Sequence, residues 1–133
     1  MKQSHINRPW KYKGAYLNGM RHGYGACCFT NEGKLYEGNW ANDKMEGEGK
    51  CTFADGSKYT GQWLNDMKNG EGVCTYKGGF KFTGHWLNDM RHGEGVCTFS
   101  DGFTYSGPWL NDMRHGKADY TSGNGDKYEV LWV

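Results

Sequence analysis

Residues 59–81 of the chain read YTGQWLNDMKNGEGVCTYKGGFK, and residues 82–104 read FTGHWLNDMRHGEGVCTFSDGFT. The two stretches are copies of one unit. The tryptophan of this unit recurs every 23 residues, at Trp40, Trp63, Trp86, Trp109 and Trp132. A strict period of this length indicates an array of one small supersecondary unit, so the fold follows from the structure of that unit.

Each unit is predicted to be a β-hairpin. Tyr59, Gly61 and Trp63 fall on one face of a strand, because successive side chains of a strand point to opposite faces. Cys74 and Tyr76 share a face of the return strand, and turn pairs such as Asp-Gly close the units. No stretch has the 3.6-residue period of a helix. We therefore expect an all-β fold, an elongated, solenoid-like, single-layer antiparallel meander of about eleven strands.

The domain organisation follows from where the repeat begins and decays. We expect residues 1–11 to be a loose N-terminal segment and residues 12–133 to be the repeat array, with five hairpin repeats and a final capping strand. The end copies depart from the pattern, with Tyr16 in place of tryptophan and Ala118 in place of glycine. Such departures are typical of the capping units of an array.

The glycines within the predicted strands need an explanation, because glycine there costs entropy and packs against nothing. A tryptophan ring requires a flat surface beneath it, and a glycine on a neighbouring strand provides one. We therefore expect each aromatic ring to lie over glycines of its own hairpin or the next. This arrangement would bury aromatic area in a sheet that has no second layer to pack on.

The repeated pattern resembles that of a known family. Its elements are Y-x-G-x-W-x(6)-G-x-G, an aromatic residue and a turn glycine, and they resemble the MORN repeat (membrane occupation and recognition nexus) over residues 12–133. The resemblance implies a twisted, non-catalytic scaffold without cofactors that binds partner proteins along the sheet, or dimerises. Such arrays occur on cytoskeletal, ciliary and axonemal structures and at membrane contacts. Phosphoinositide binding is a further property proposed for some members.

The aromatic face of the predicted sheet is the candidate site for a protein partner, because contiguous apolar patches usually mark binding surfaces. An extended or a helical segment could lie along it. The alternative is that the rings satisfy one another and leave no groove. The candidate partner-binding residues are Tyr36, Trp40, Tyr59, Trp63, Tyr76, Phe82, Trp86, Phe99, Tyr105 and Trp109.

The hairpin tips carry the second candidate site, a row of basic residues at Arg21, Lys44, Lys68, Arg91 and Arg114. Basic residues along one edge could bind anionic lipid headgroups. However, aspartates in the same loops nearly cancel their charge. The alternatives are contact with a partner, or solvated loops whose Asn-Asp side chains hydrogen-bond the turn itself. A net charge of +1 gives no electrostatic footprint for nucleic acid.

The cysteines are interpreted as small buried apolar residues and not as ligands. Cys27, Cys51, Cys74 and Cys97 hold equivalent positions in successive units. Equivalent positions lie two strands apart, ~9.6 Å, too far for a shared zinc ion or a disulfide. We therefore expect no metal site. The sequence also shows no combination of a nucleophile with a base that would indicate an enzyme.

Unpaired thiols favour a reducing compartment, so we expect a cytoplasmic protein. The resemblance to the MORN repeat implies an association with the cytoskeleton, the axoneme or a membrane. The last strand, Tyr128 to Val133, has a free edge, and such edges favour pairing with a second copy. Binding of a quaternary-ammonium ligand is a third function that an aromatic hairpin array permits. The adjacent Trp-Tyr-Tyr runs of choline-binding repeats are absent here, which disfavours it.

Overall fold

In a computed structural model of the chain, residues 8–132 are described, and their strands form one antiparallel sheet. The strands are β1 (Trp10–Leu17), β2 (Met20–Phe29), β3 (Lys34–Ala41), β4 (Lys44–Thr52), β5 (Lys58–Leu64), β6 (Met67–Thr75), β7 (Lys81–Leu87), β8 (Met90–Thr98), β9 (Thr104–Leu110), β10 (Met113–Arg114), β11 (Gly116–Thr121) and β12 (Lys127–Trp132). β1 to β9 each pair with the next strand along the chain, β9 then pairs with β11 and β11 with β12, and the short β10 pairs with β9 beside this path.

The predicted all-β meander of hairpin repeats is therefore confirmed. β1 begins at Trp10, two residues before the expected start of the array. The prediction of a loose segment otherwise concerns residues 1–7, which lie outside the described residues, as does Val133. Within the described chain, the outer edge of β12 pairs with no strand, and dimerisation through this edge stays a prediction. Residues 8–132 contain no helix of the length and hydropathy that crossing a membrane requires.

The hairpin tips are two-residue type I′ turns. Asn65 and Asp66 both have positive φ angles, 51° and 68°, and two such residues in succession give the twist that suits a tight hairpin. The same geometry recurs at Asn42-Asp43, Asn88-Asp89 and Asn111-Asp112. Aspartate in the second position is strained relative to glycine, so the carboxylate must serve another purpose there.

Glycines form a continuous row across the sheet, in which Gly61 pairs with Gly49 on one side and with Gly72 on the other. The ring of Tyr59 covers Gly72, so that a Cβ added at this glycine would overlap the tyrosine hydroxyl. In the next repeat the ring of Phe82 covers Gly95 in the same way. The predicted glycine surface is thus confirmed for the tyrosine and phenylalanine rings, each over its own hairpin.

The tryptophans occupy a different place from the one predicted. Trp63 meets Tyr59 and Tyr36 edge-on, with ring centroids 5.1 and 5.3 Å apart. Its indole Nε1–H donates to the carbonyl oxygen of Gly49 in the preceding hairpin, at 3.1 Å. The prediction that the tryptophan itself lies on glycine is therefore wrong, because the smaller rings occupy that surface. Edge-to-face contacts, a favoured geometry for aromatic pairs, instead join two successive repeats at Trp40, Trp63, Trp86 and Trp109.

The cysteines separate the buried rings along the sheet. Tyr59, for example, pairs with Cys51 on one side and with Cys74 on the other. These two thiols are buried and free, as are Cys27 and Cys97, which confirms their interpretation as small core residues. Burial raises the pKa of Cys51 to about 11, so its thiol stays protonated at neutral pH.

Replacing a central tryptophan should cost much of the stability of the array. Trp63 is 5% exposed, and Trp63→Ala is expected to lower the free energy of unfolding by roughly 3–5 kcal/mol, as for other buried aromatic residues. Trp132 is 36% exposed, so Trp132→Ala serves as a control with a smaller loss. Urea unfolding measures both. A loss near zero for Trp63→Ala would refute the role assigned to the tryptophans.

One repeat carries phenylalanine where its neighbours carry a buried tyrosine, and this difference gives a matched pair of variants. Tyr59 Oη donates to the carbonyl oxygen of Gln62 at 2.9 Å, and Phe82 occupies the equivalent position without a hydroxyl. Tyr59→Phe should lose about 1 kcal/mol of stability, the net value of such a bond, and Phe82→Tyr should gain a similar amount. Thermal unfolding of both variants measures the two effects. Changes of the same sign would show that the hydroxyl bond does not set the difference.

Candidate functional site: a groove between an ionic wall and an aromatic rim

The aromatic face of the sheet contains an open groove. A cavity of about 320 Å³ lies over the middle repeats, and its lining residues are Phe53, Asp55, Ser57, Lys68, Cys74, Tyr76, Trp86, Asp89, Arg91 and Asp112. A second cavity, of about 390 Å³, shares Arg91 and Asp112 with it and extends to Phe80, Trp109, Met113, Arg114 and Trp132. Because the cavities share a wall, we treat them as one groove that runs along the repeats.

The wall on the hairpin-tip side, here called the ionic wall, is formed by tip aspartates and the basic residues of the preceding tips. Its pairs are Asp43 with Arg21, Asp89 with Lys68 and Asp112 with Arg91. Asp112 Oδ1 accepts hydrogen bonds from the backbone N–H of Arg91 at 2.8 Å and from its Nε at 2.9 Å. Asp89 accepts the backbone N–H of Lys68 at 2.8 Å. These bonds explain the aspartates in a strained turn position. They link successive tips, whereas the sequence suggested bonds within one turn.

The basic side chains of the ionic wall fold over the aromatic rings. Arg91 Cζ lies 4.5 Å from the ring centroid of Trp109, and Arg21 Cζ lies 4.4 Å from that of Trp40. Their side chains are only 20% and 13% exposed. Both guanidinium groups therefore combine a cation–π contact with an ion pair, and Arg91 also lines the groove.

One member of the predicted basic row lies elsewhere. Lys44 pairs with Ala41 beside the tip, and Met45, which is 3% exposed, takes the place that Lys68 and Arg91 occupy in later repeats. The cause is the reversed order of residues 44 and 45 in this unit. Arg114 does line the groove, and it donates to the hydroxyl of Tyr120 at 2.6 Å. A lipid-binding role of the row stays a prediction.

Most of the predicted partner-binding aromatics form the core beneath the groove. Four of them are fully buried: Tyr36, Tyr59, Phe82 and Tyr105. Four others are 3–5% exposed: Trp40, Trp63, Trp86 and Trp109. Tyr76 and Phe99 instead lie half-buried on the side opposite the ionic wall. The structure thus leaves few atoms of the eight core rings for a partner to touch, and the binding role of all ten residues stays a prediction.

The wall opposite the tips, here called the aromatic rim, comprises Phe53, Tyr76, Phe80 and Phe99. Phe80 stacks between two of the others, with ring centroids 4.9 Å from Tyr76 and 5.1 Å from Phe99. Phe53 and Phe80 were missed in the sequence. For Phe53 a signal was present, because the residue two positions after the repeated cysteine is aromatic in four successive units.

The groove holds charge but shows no arrangement typical of catalysis or of a metal centre. In the part of the chain that the structure describes, no three His, Cys, Asp or Glu side chains are grouped so as to hold a metal ion. The Cys74 thiol on the groove floor has a pKa raised by burial, which makes it a poor nucleophile at neutral pH. What the groove offers is aromatic surface beside fixed charges, which suits binding.

Comparison with known proteins supports the repeat assignment. The MORN repeat model matches five consecutive segments, residues 12–34, 36–58, 59–80, 82–104 and 105–127. No curated protein matches the sequence significantly. Among solved structures, the fold is similar to that of the Drosophila melanogaster SAS-4 TCP domain in complex with a proline-rich motif of Ana2, with a TM-score of 0.56 and 12% identity. The match covers 84% of this chain and 61% of that chain.

The ionic wall predicts a pH-dependent contribution to stability. Hydrogen bonds from the Arg21 backbone and side chain hold the pKa of Asp43 below its usual value. The stabilisation is therefore present above the unfolded-state pKa of ~3.9 and is lost as the pH falls through the folded-state value. Asp43→Asn should lower the free energy of unfolding at neutral pH by up to about 1 kcal/mol, as for an exposed pair.

The difference between Asp43→Asn and the unmodified chain should shrink as the pH falls from neutral through the folded-state pKa of the carboxyl, because protonation removes the charge in both states. Urea unfolding at a series of pH values from neutral downwards measures it. Asp66→Asn is the matched control, because Asp66 accepts the backbone N–H of Met45, and methionine offers no side-chain cation. A difference that persists at low pH would show that the charge of Asp43 is not its source.

Proposed function

The chain belongs to the MORN repeat family, and from this premise we propose that it is a non-catalytic scaffold that binds a segment of a partner protein along its groove. The observation that carries the proposal is the groove itself, in which the half-buried aromatic rim faces the ionic wall across the middle repeats. Aromatic and arginine side chains are the residue types that most often dominate binding energy at protein interfaces. MORN repeats are generally non-enzymatic, which is consistent with a binding role.

The spacing of the repeats favours an extended segment over a helical one. Equivalent features of the groove recur every two strands, ~9.6 Å. One turn of a polyproline II helix, three residues, advances ~9.3 Å, whereas seven residues of an α-helix advance ~10.5 Å. Over four repeats the mismatch grows to about 1 Å for polyproline II and about 4 Å for the α-helix. An extended segment therefore stays in register with the groove.

The similar fold of the SAS-4 TCP domain supports the same choice, since that domain is in complex with a proline-rich motif. We accordingly propose that the partner segment is extended and contains proline. Proline-rich segments bind aromatic grooves with a small entropic cost, because their conformation is already formed. As a scaffold of this kind, the protein is proposed to act in the cytoplasm at cytoskeletal, axonemal or membrane-associated structures.

A charged residue placed on the rim tests the proposal. Lysine stands naturally at the equivalent position of the first repeat, Lys34, so Phe80→Lys should fold. Thr83 lies on the opposite, exposed face, and Thr83→Lys adds the same charge there. Affinity enrichment from cell extract, quantified by mass spectrometry, should show partners that Phe80→Lys loses and Thr83→Lys retains.

The same pair of variants separates a protein partner from a membrane. An added lysine would preserve or strengthen binding to vesicles that contain phosphoinositide, because basic residues near an anionic surface are attractive. A partner set that is the same for both variants would contradict binding in the groove. Vesicle binding that rises in both variants, with no partner lost, would favour the lipid alternative instead.

A further inference from the structure

The aromatic rim has a gap at Ser57. This residue holds the position that Phe80 holds one repeat later and Phe103 two repeats later. Phe80 fills the space between Tyr76 and Phe99 by stacking on both. Ser57 stands between Phe53 and Tyr76 but is too small to fill the corresponding space. The cavity of about 320 Å³ lies at this place and is lined by all three residues.

The bottom of this gap is apolar and uncharged. Cys74, which is 3% exposed, and Trp86, which is 4% exposed, lie beneath it. The Cys74 thiol stays protonated at neutral pH, because burial raises its pKa. Phe53 and Tyr76 provide the sides. A space with these surfaces favours an aliphatic or proline side chain over a polar one, because a polar group would lose its hydration without gaining a partner.

The mouth of the gap carries a net negative charge. The cavity is lined by three carboxylates, Asp55, Asp89 and Asp112, and by two cations, Lys68 and Arg91. Asp112 and Arg91 are paired at 2.9 Å, and Asp89 and Lys68 at 3.8 Å.

Asp55 is the remaining carboxylate. It accepts hydrogen bonds from the Ser57 hydroxyl at 2.7 Å and from the Ser57 backbone N–H at 2.9 Å. It forms no ion pair within residues 8–132. These bonds fix its orientation beside the gap. Lys77 acts on the carboxylate from a distance without forming a close ion pair, so a cation on a partner could pair with it directly.

We propose that the gap at Ser57 is the anchor pocket of the groove, which takes one aliphatic or proline side chain of the partner segment, and that Asp55 pairs with a lysine or arginine next to that side chain. The inference rests on the proposed function and adds the chemistry of the bound segment. The pocket is the place where the repeats differ, so it also fixes the register of the segment along an otherwise periodic groove.

The test uses labelled synthetic peptides and the full chain. The probe is a short proline-rich peptide with a central Leu-Lys pair, compared with versions in which Ser replaces Leu or Glu replaces Lys. Fluorescence anisotropy measures binding to the unmodified chain and to Ser57→Phe, which places in the gap the residue found at positions 80 and 103. Ser57→Thr keeps the pocket open and is the matched control.

We expect the Leu-Lys peptide to bind the unmodified chain and Ser57→Thr alike. Ser57→Phe should weaken binding roughly tenfold or more, as when an interface anchor loses its pocket. The peptide in which Ser replaces Leu should bind the unmodified chain about as weakly as the Leu-Lys peptide binds Ser57→Phe. The Glu version should bind roughly threefold less tightly, a difference that Asp55→Asn should remove. Thermal unfolding shows whether each variant is folded.

Equal binding of the Leu-Lys peptide to Ser57→Phe and to the unmodified chain would overturn the pocket assignment, and so would the failure of every peptide to bind. Equal binding of the Lys and Glu versions would overturn the role of Asp55. These results are separable from failure of the proposed function. Partners that are lost with Phe80→Lys and retained with Thr83→Lys would show that the groove binds protein even when the peptide chemistry is wrong.

Discussion

The contact of an aromatic ring with a bare glycine backbone is the constraint on which the rest of this structure depends. The ring of Tyr59 or Phe82 can lie flat on the sheet only where the facing strand carries no Cβ. This requirement fixes Gly72 and Gly95, and the register of the hairpins follows from it. A single sheet can then bury its own core, because ring and glycine replace the second layer that other β-folds need.

The tryptophans and the ionic wall make neighbouring repeats depend on one another. Trp63 contacts a ring of its own repeat and one of the preceding repeat, and Asp112 reaches the preceding tip at Arg91. Both interactions cross the boundary between units. Arrays in which each repeat contacts only its neighbours owe much of their stability to the interactions between adjacent repeats. The groove stays open because these contacts hold the sheet without a covering layer.

The sequence predicted the fold well because the constraints of the fold are local and periodic. Alternation along Tyr59-Thr60-Gly61-Gln62-Trp63 is sufficient to identify a strand with one buried face, and the repeat supplies the meander. The site was predicted less well for two physical reasons. The hydrogen bond that the Lys68 backbone N–H donates to Asp89 spans 21 residues, so no local pattern reveals it. Lys44 is basic and lies beside the tip, but the exchanged order of residues 44 and 45 places Met45, and not Lys44, opposite Trp40.

Selection of a partner cannot come from the residues that repeat most strictly. Tyr36, Tyr59 and Tyr105 are fully buried, and they are equivalent, so they would offer every repeat the same contact and no register. Discrimination requires positions that line the groove and differ between units. Ser57 and Phe80 are such positions, since both line the cavities and their equivalents in other units differ in size or charge. The invariant rings therefore hold the groove in shape, and the variable residues along its walls determine what binds there.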